Sequence, residues 1–134
     1  MIEAKAINRY IPSSPRKMRL VIDLIRNKPV DQALSILHYS PNHAARVAEK
    51  VVRSAIANLH NTDEGARIDA NELFVKEVFV NGGPGMKRVL PAPMGRAFRI
   101  VKRSNHLTVV IAAIPKKVKQ AAPKPRVKET AEKK

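Results

Sequence analysis

Six Lys or Arg and no acid stand in one stretch, GGPGMKRVLPAPMGRAFRIVKR, from Gly82 to Arg103. Lys87, Arg88, Arg96, Arg99, Lys102 and Arg103 have no local acid to neutralise them, so the chemistry they offer is ion pairing with an external polyanion. Met86, Val89, Leu90, Met94 and Phe98 lie between them and supply apolar contact. A second group, Arg16, Lys17 and Arg19 behind Ser14, crowds the start of a helical pattern. The helix dipole disfavours cations there by about half a kcal/mol each. Phosphate lying alongside, held by amides and side chains together, makes those cations favourable. Without it they are simply a solvated face.

Other chemistries find little to work with. His38, His43, His60 and His106 lack metal-ligand spacing and nearby carboxylate pairs. Ser13, Ser14 and Ser104 have no evident His and Asp partners. GGPGMKR lacks the G-x-x-x-x-G-K-[ST] pattern of a phosphate loop and precedes no helix. Asp63, Glu64 and Asp69 form an acidic loop for which solvation is the simpler reading. With no cysteine there is neither a disulfide framework nor a thiolate metal site. No catalytic residue, metal or cofactor is implied, and the chain reads as a binding protein rather than an enzyme.

The charge distribution supports this. Residues 1–77 hold 12 Lys/Arg and 9 Asp/Glu, whereas residues 78–128 hold 12 Lys/Arg and no acid, within a total net charge of +15. A nearly neutral part is therefore followed by a purely cationic one. The N-terminal MIEAKAINRY carries Glu3 and alternates in polarity, unlike a signal peptide. The uncharged run LTVVIAAI has eight residues, against roughly 18 for a bilayer span. The basic C-terminal tail has no Trp, Phe or Leu to insert into lipid. No membrane partner is expected, and the location expected is the cytoplasm.

The elements that position these cations follow from periodicity. At 134 residues and 44% hydrophobic, one domain with an aliphatic core is expected, since there are three Phe, two Tyr and no Trp. Ile2 to Tyr10 reads as a short strand. Ser13 or Ser14 with Pro15 starts a helix whose inward face is Met18, Val21, Ile22 and Ile25, ended by Asn27 and Pro29. VDQALSILHY is a second helix, with Ala33, Leu34 and Leu37 inward. Ser40 and Pro41 open a third, with a stripe of Ala44, Ala48, Val51, Val52, Ala55 and Leu59. TDEGARIDAN is a loop by composition. Glu72–Asn81 and Asn105–Ile114 are strands. The order gives an α+β fold, three helices packed on a small antiparallel sheet. Body residues 1–81 and 104–114 carry a protruding hairpin, 82–103, within a single domain 1–114. Residues 115–134 form a disordered basic tail with polyproline character.

The 22-residue connection Gly82–Arg103 is long against the usual 2–5 of a hairpin. It is either a charged surface loop or a continuation of both strands as a ribbon that turns near Pro91 to Gly95. KRVL and FRIVKR keep strand formers close to the turn and favour the ribbon, of about 30 Å at ~3.3 Å per residue. Such a ribbon is marginal alone in water, so it needs a surface to lie against, and its cations require that surface to be anionic.

SSPRKMRLVIDLIRNKPVDQALSIL, KVVRSAIANLHN and LFVKEVFVNGGPGMKRVLPAPMGRAFRIVKRSNHLTVVI together resemble the bacterial large-subunit ribosomal protein L22 family (the universal uL22 family), over roughly residues 4–114. The resemblance implies a structural protein that binds 23S rRNA early in subunit assembly, with a hairpin that lines the peptide exit tunnel beside protein L4. It implies rRNA contacts at Ser14, Arg16, Lys17, Arg19, Lys87, Arg88, Arg96, Arg99, Lys102 and Arg103. It also implies a tunnel-facing tip, Leu90, Pro91, Ala92, Pro93, Met94 and Gly95, passed by the nascent peptide. Where the family often has Pro-Arg-Ala-Lys-Gly-Arg-Ala, this chain has PAPMGRA. Ala92 and Met94 thus make the tip less cationic, and Pro93 is expected to stiffen the turn. Phe98 stands where a polar residue is common. A free nucleic-acid chaperone or DNA-binding module is the competing class.

Overall fold

The computed structural model describes residues 2–62, 68–69 and 72–113. Their elements run β1 (Glu3–Ile11), α1 (Pro15–Ile22), α2 (Val30–Tyr39), α3 (His43–His60), β2 (Leu73–Gly82), β3 (Met86–Pro91), β4 (Ala97–Lys102) and β5 (Asn105–Ala113). This is the expected α+β order, with antiparallel pairing in both sheets. The expectations for residues 115–134, and for Asp63 and Glu64, fall outside the described residues.

β5 is the middle strand of a three-stranded sheet, order β1-β5-β2. Its sequence NHLTVVIAA has no charge to solvate and is rich in β-branched residues, which suits a strand covered on both edges. Leu107, Val109 and Ile111 are buried on its inner face, opposite Ala6 of β1 and Leu73, Val75, Val78 and Val80 of β2. Along β2 the buried positions change phase between Val75 and Val78. A register shift between Val75 and Glu77 absorbs the odd residue, so both halves of LFVKEVFV present their valines inward. A second shift, between Asn8 and Ile11, does the same for β1 and buries Ile11.

The helices cover that inner face, α3 on β1 and β5, α1 and α2 on β2 and on α3. The small-residue stripe of α3 is buried as expected from Ala44 to Leu59, with Ala45 added. Close approach lets Asn58 Nδ2 donate to the Lys5 carbonyl of β1 at 3.0 Å. Met18, Val21, Ile22 and Ile25 are all buried, as are Ala33 and Leu37, while Leu34 is half-buried.

Three boundaries differ from expectation. The first helix ends at Ile22, not near Asn27. Its last turn tightens to i→i+3 bonds, Leu24 to Val21 and Ile25 to Ile22, and Asn27 takes a left-handed φ of 58°. From there the chain pairs with β2, Asn27 N–H to Val75 O at 3.2 Å and Val75 N–H to Lys28 O at 2.9 Å. A sheet edge has captured the helix end. Similarly, Ser40 caps the end of α2, and Asn42 rather than the Ser-Pro pair precedes α3.

The third difference is a neck. β2 stops at Gly82 and the ribbon restarts at Met86, so the strands do not run straight through. Pro84 has no N–H to give the ladder. Two bonds bridge the interruption: Gly83 N–H to Ser104 O at 2.9 Å, and Ser104 Oγ–H to Pro84 O at 2.6 Å. A Cβ at Gly83 would stand 2.5 Å from Ser104 Oγ, and one at Gly85 2.6 Å from Val101 Cγ1. A side chain at either place would have to displace that neighbour. Gly85→Ala is expected to speed amide exchange at Gly83 while shifting the melting temperature of the body by no more than about 2 °C. Equal exchange in the two proteins would show that the contact is not limiting.

Candidate nucleic-acid interface

β3 and β4 form a separate two-stranded ribbon, register Met86↔Lys102 to Pro91↔Ala97. Every residue of the ribbon is exposed except Ile100, which is half-buried. Six residues per strand at ~3.3 Å make about 20 Å of ribbon, shorter than expected because the neck and tip take the rest.

Strand alternation and this register decide which side chains share a face. One face carries Met86, Arg88, Leu90, Phe98, Ile100 and Lys102; the other carries Lys87, Val89, Pro91, Ala97, Arg99 and Val101. Each face thus has two cations set among apolar side chains. An arm lying on a single surface would put its cations on one side. Here both faces present cations.

The tip is a five-residue loop, with Ala92 N–H to Arg96 O at 3.0 Å and Arg96 N–H to Pro93 O at 3.4 Å. Its central residues are Met94 (φ 59°) and Gly95 (φ 69°), a type I′ turn whose twist matches that of the strands. Pro93, expected to stiffen the turn, is its first residue and accepts the closing bond. Met94 is 93% exposed, at the far end from the body. Phe98 faces Leu90 across the ribbon.

The second cationic group lies at the other end of the arm. Ser14 precedes α1 with extended backbone and makes no side-chain capping bond. Arg16, Lys17 and Arg19 follow, all exposed. Arg19 Nη2 donates to Val80 O at 3.2 Å, which ties α1 to β2 near the neck and uses one of its five donors. Ser14 and Lys17 line one cleft together with Lys102, Arg103 and Ser104 at the root of the arm. Lys87 and Arg103 share a smaller hollow with Pro15 and Gly83. The helix start and the arm root are therefore one basic region. Arg88, Arg96 and Arg99 lie further out, and Arg88 folds back on its own strand through Nη1 to Lys87 O at 3.0 Å.

Three acids of the body are paired elsewhere. Arg53 pairs with Glu49 at 2.6 Å and Arg26 with Asp23 at 2.9 Å. Lys76 pairs with Glu3, whose hydrogen bond holds the ammonium above its ordinary pKa. Among the described residues none of the cations at the helix start or on the arm forms a salt bridge. Nor does any group of His, Cys, Asp and Glu in them suit a metal ion, or any helix cross a membrane.

Residue-type reasoning missed the rest of the cleft: Tyr10, Leu20, Asn42 and His43 also line it. An aromatic next to Arg9, just before the basic helix start, was the available signal.

Comparison with known proteins follows the same boundaries. Residues 6–112 match the family model for ribosomal protein L22p/L17e. The chain is 55% identical over 117 residues to the large ribosomal subunit protein uL22 of Chlorobaculum tepidum, covering 87% of this chain and 98% of that protein. It is 56% identical over 110 residues to the protein of the same name from Pelodictyon phaeoclathratiforme, covering 82% and 92%. The uL22 of Desulforamulus reducens is 52% identical over 112 residues, covering 83% and 96%. A basic, ribbon-bearing α+β body and a match across both body and arm lead to one statement: this chain belongs to the ribosomal protein L22p/L17e family.

Proposed function

We propose that the chain is a structural constituent of the large ribosomal subunit, cytoplasmic and without catalytic activity, that binds 23S rRNA. The observation that carries this is the arm, with unpaired cations on both faces and almost no burial of its own. A ribbon of this kind gains its order from anionic walls around it, and RNA is read there through phosphates, shape and 2′-hydroxyls. Lys87, Arg88, Arg96 and Arg99 face those walls. Ser14, Arg16, Lys17, Arg19, Lys102 and Arg103 hold the arm's root against a second RNA segment. Bridging separate segments in this way assists early subunit assembly.

The same reading places Leu90–Gly95 at the wall of the peptide exit tunnel, near protein L4 and in the path of the nascent peptide. Exposure of Met94 and the absence of cations at 90–95 suit an apolar, unreactive lining. The organisation proposed is one domain, 1–114, with the hairpin 82–103 set on the body.

Salt tests the mechanism. With about eight phosphates contacted, log affinity for rRNA should fall against log salt with a slope of about −6 to −7. Filter binding across a salt series, with co-sedimentation on washed subunits, measures it. A slope near zero would point to an uncharged partner and overturn the reading.

A further inference from the structure

Tyr10 occupies the extra residue of the β1 bulge with a φ of 58°, a conformation bulky residues rarely adopt. Its environment holds it there. The Tyr10 N–H donates to His106 Nδ1 at 2.9 Å, and the two rings meet edge to face with centroids 4.9 Å apart. Strain of this kind persists where the surroundings over-determine it, and bulges commonly re-aim a side chain. Here the result is an aromatic ring left 66% exposed in a protein with only five aromatics of the Phe, Tyr and Trp type.

The ring opens onto the cleft at the arm's root, whose volume is about 1220 Å³. Leu20, Met86 and Val101 line it and are themselves exposed. Lys17 and Arg103 line it too, and no acid does. Apolar side chains with a flat aromatic, beside charged groups that are all cations, match a nucleobase flanked by phosphates. An acidic peptide would pair with the same cations; a nucleotide in addition brings a flat base with a phosphate on either side, and so uses the ring as well.

We propose that this cleft takes one unstacked nucleotide of single-stranded RNA, with its base on the Tyr10 ring and its neighbouring phosphates on Lys17 and Arg103. This inference rests on the rRNA-binding reading and names a base-recognition subsite within it.

The test uses the full chain with Tyr39→Phe, which leaves Tyr10 as the sole tyrosine in a protein without Trp. Tyrosine fluorescence is followed during titration with a single-stranded ten-uridine RNA and, separately, with linear polyphosphate. Quenching by the RNA and not by polyphosphate is expected. In the otherwise unaltered chain, Tyr10→Ala should lower affinity for the same RNA roughly 10-fold without changing the salt slope, and Tyr10→Phe should retain it. The quenching arm uses the native ring, so it stands even if the alanine variant disturbs the bulge. Equal quenching by polyphosphate, or a folded alanine variant with unchanged RNA affinity, overturns the proposal. Unchanged RNA affinity with lost retention on washed subunits would assign the cleft to a protein neighbour instead, again overturning it. Salt-dependent RNA binding without quenching defeats this inference alone; no salt-dependent RNA binding defeats the rRNA reading as well.

Discussion

Deleting Lys87–Arg99 is expected to weaken docking onto the large subunit by about 100- to 1000-fold while the remaining body stays folded. The magnitude follows from four lost cations. At ~0.7–0.9 per phosphate contact they account for about 3 in the salt slope, which between 1 M and ~0.15 M salt amounts to about 2–3 decades of affinity. The body survives because its buried apolar cluster draws nothing from residues 81–106. Co-sedimentation with salt-washed subunits reads the docking, and a thermal melt reads the fold. A deletion variant that fails to fold would make the arm part of the core and refute this account. A free nucleic-acid chaperone predicts something else, an equal loss of affinity for RNA and for unrelated DNA duplexes. A subunit component should lose docking far more than it loses affinity for random DNA.

Asn105→Ala is expected to lower the melting temperature by about 5–15 °C, a large effect for one small side chain. Asn105 is fully buried at the start of β5, in register with Ile11 of β1 and Gly82 of β2. Its Nδ2 donates to Ser13 O at 2.7 Å and to Ser13 Oγ at 2.9 Å. That one amide joins the ends of three strands to the segment entering α1. Its own Oδ1 finds no hydrogen-bond partner among the described residues. Alanine removes the donor from the Ser13 carbonyl, and an unsatisfied part-buried acceptor costs about 1–3 kcal/mol. At roughly 5 °C per kcal/mol for a domain of this size, the stated range follows. An unchanged melt would show that the Ser13 bonds contribute nothing net.

Much of this was legible in residue order. The helical stripes around Met18 and Val51 were readable because each apolar spacing fits 3.6 residues per turn, and burial followed it. The arm was readable because strand formers persist on both sides of the turn at Pro91 to Gly95, and the ribbon β3-β4 forms there. The phase break in LFVKEVFV went unread: alternation alone also allows Phe74, Val78 and Val80 to share a face, and pairing with β5 is what puts the register shift between Val75 and Glu77. What was hidden depends on distant partners. The early end of α1 is set by Val75, some fifty residues away, and local propensity at Leu24 to Asn27 carries no trace of it. The neck depends on Ser104 meeting Pro84. The left-handed Tyr10 depends on His106, and the cleft beside it exists only once α1, α3 and the arm's root have been brought together.

The separation of arm from core has a consequence for the arm's reach. Adding two residues to each of β3 and β4 would carry the tip about 6–7 Å farther and leave every side chain on its original face. One residue added to each would exchange the two faces, and because both already mix cations with apolar groups, even that error is softened. Reach is thus adjustable without retuning the fold: the length of the hairpin alone sets how far the tip stands from the body.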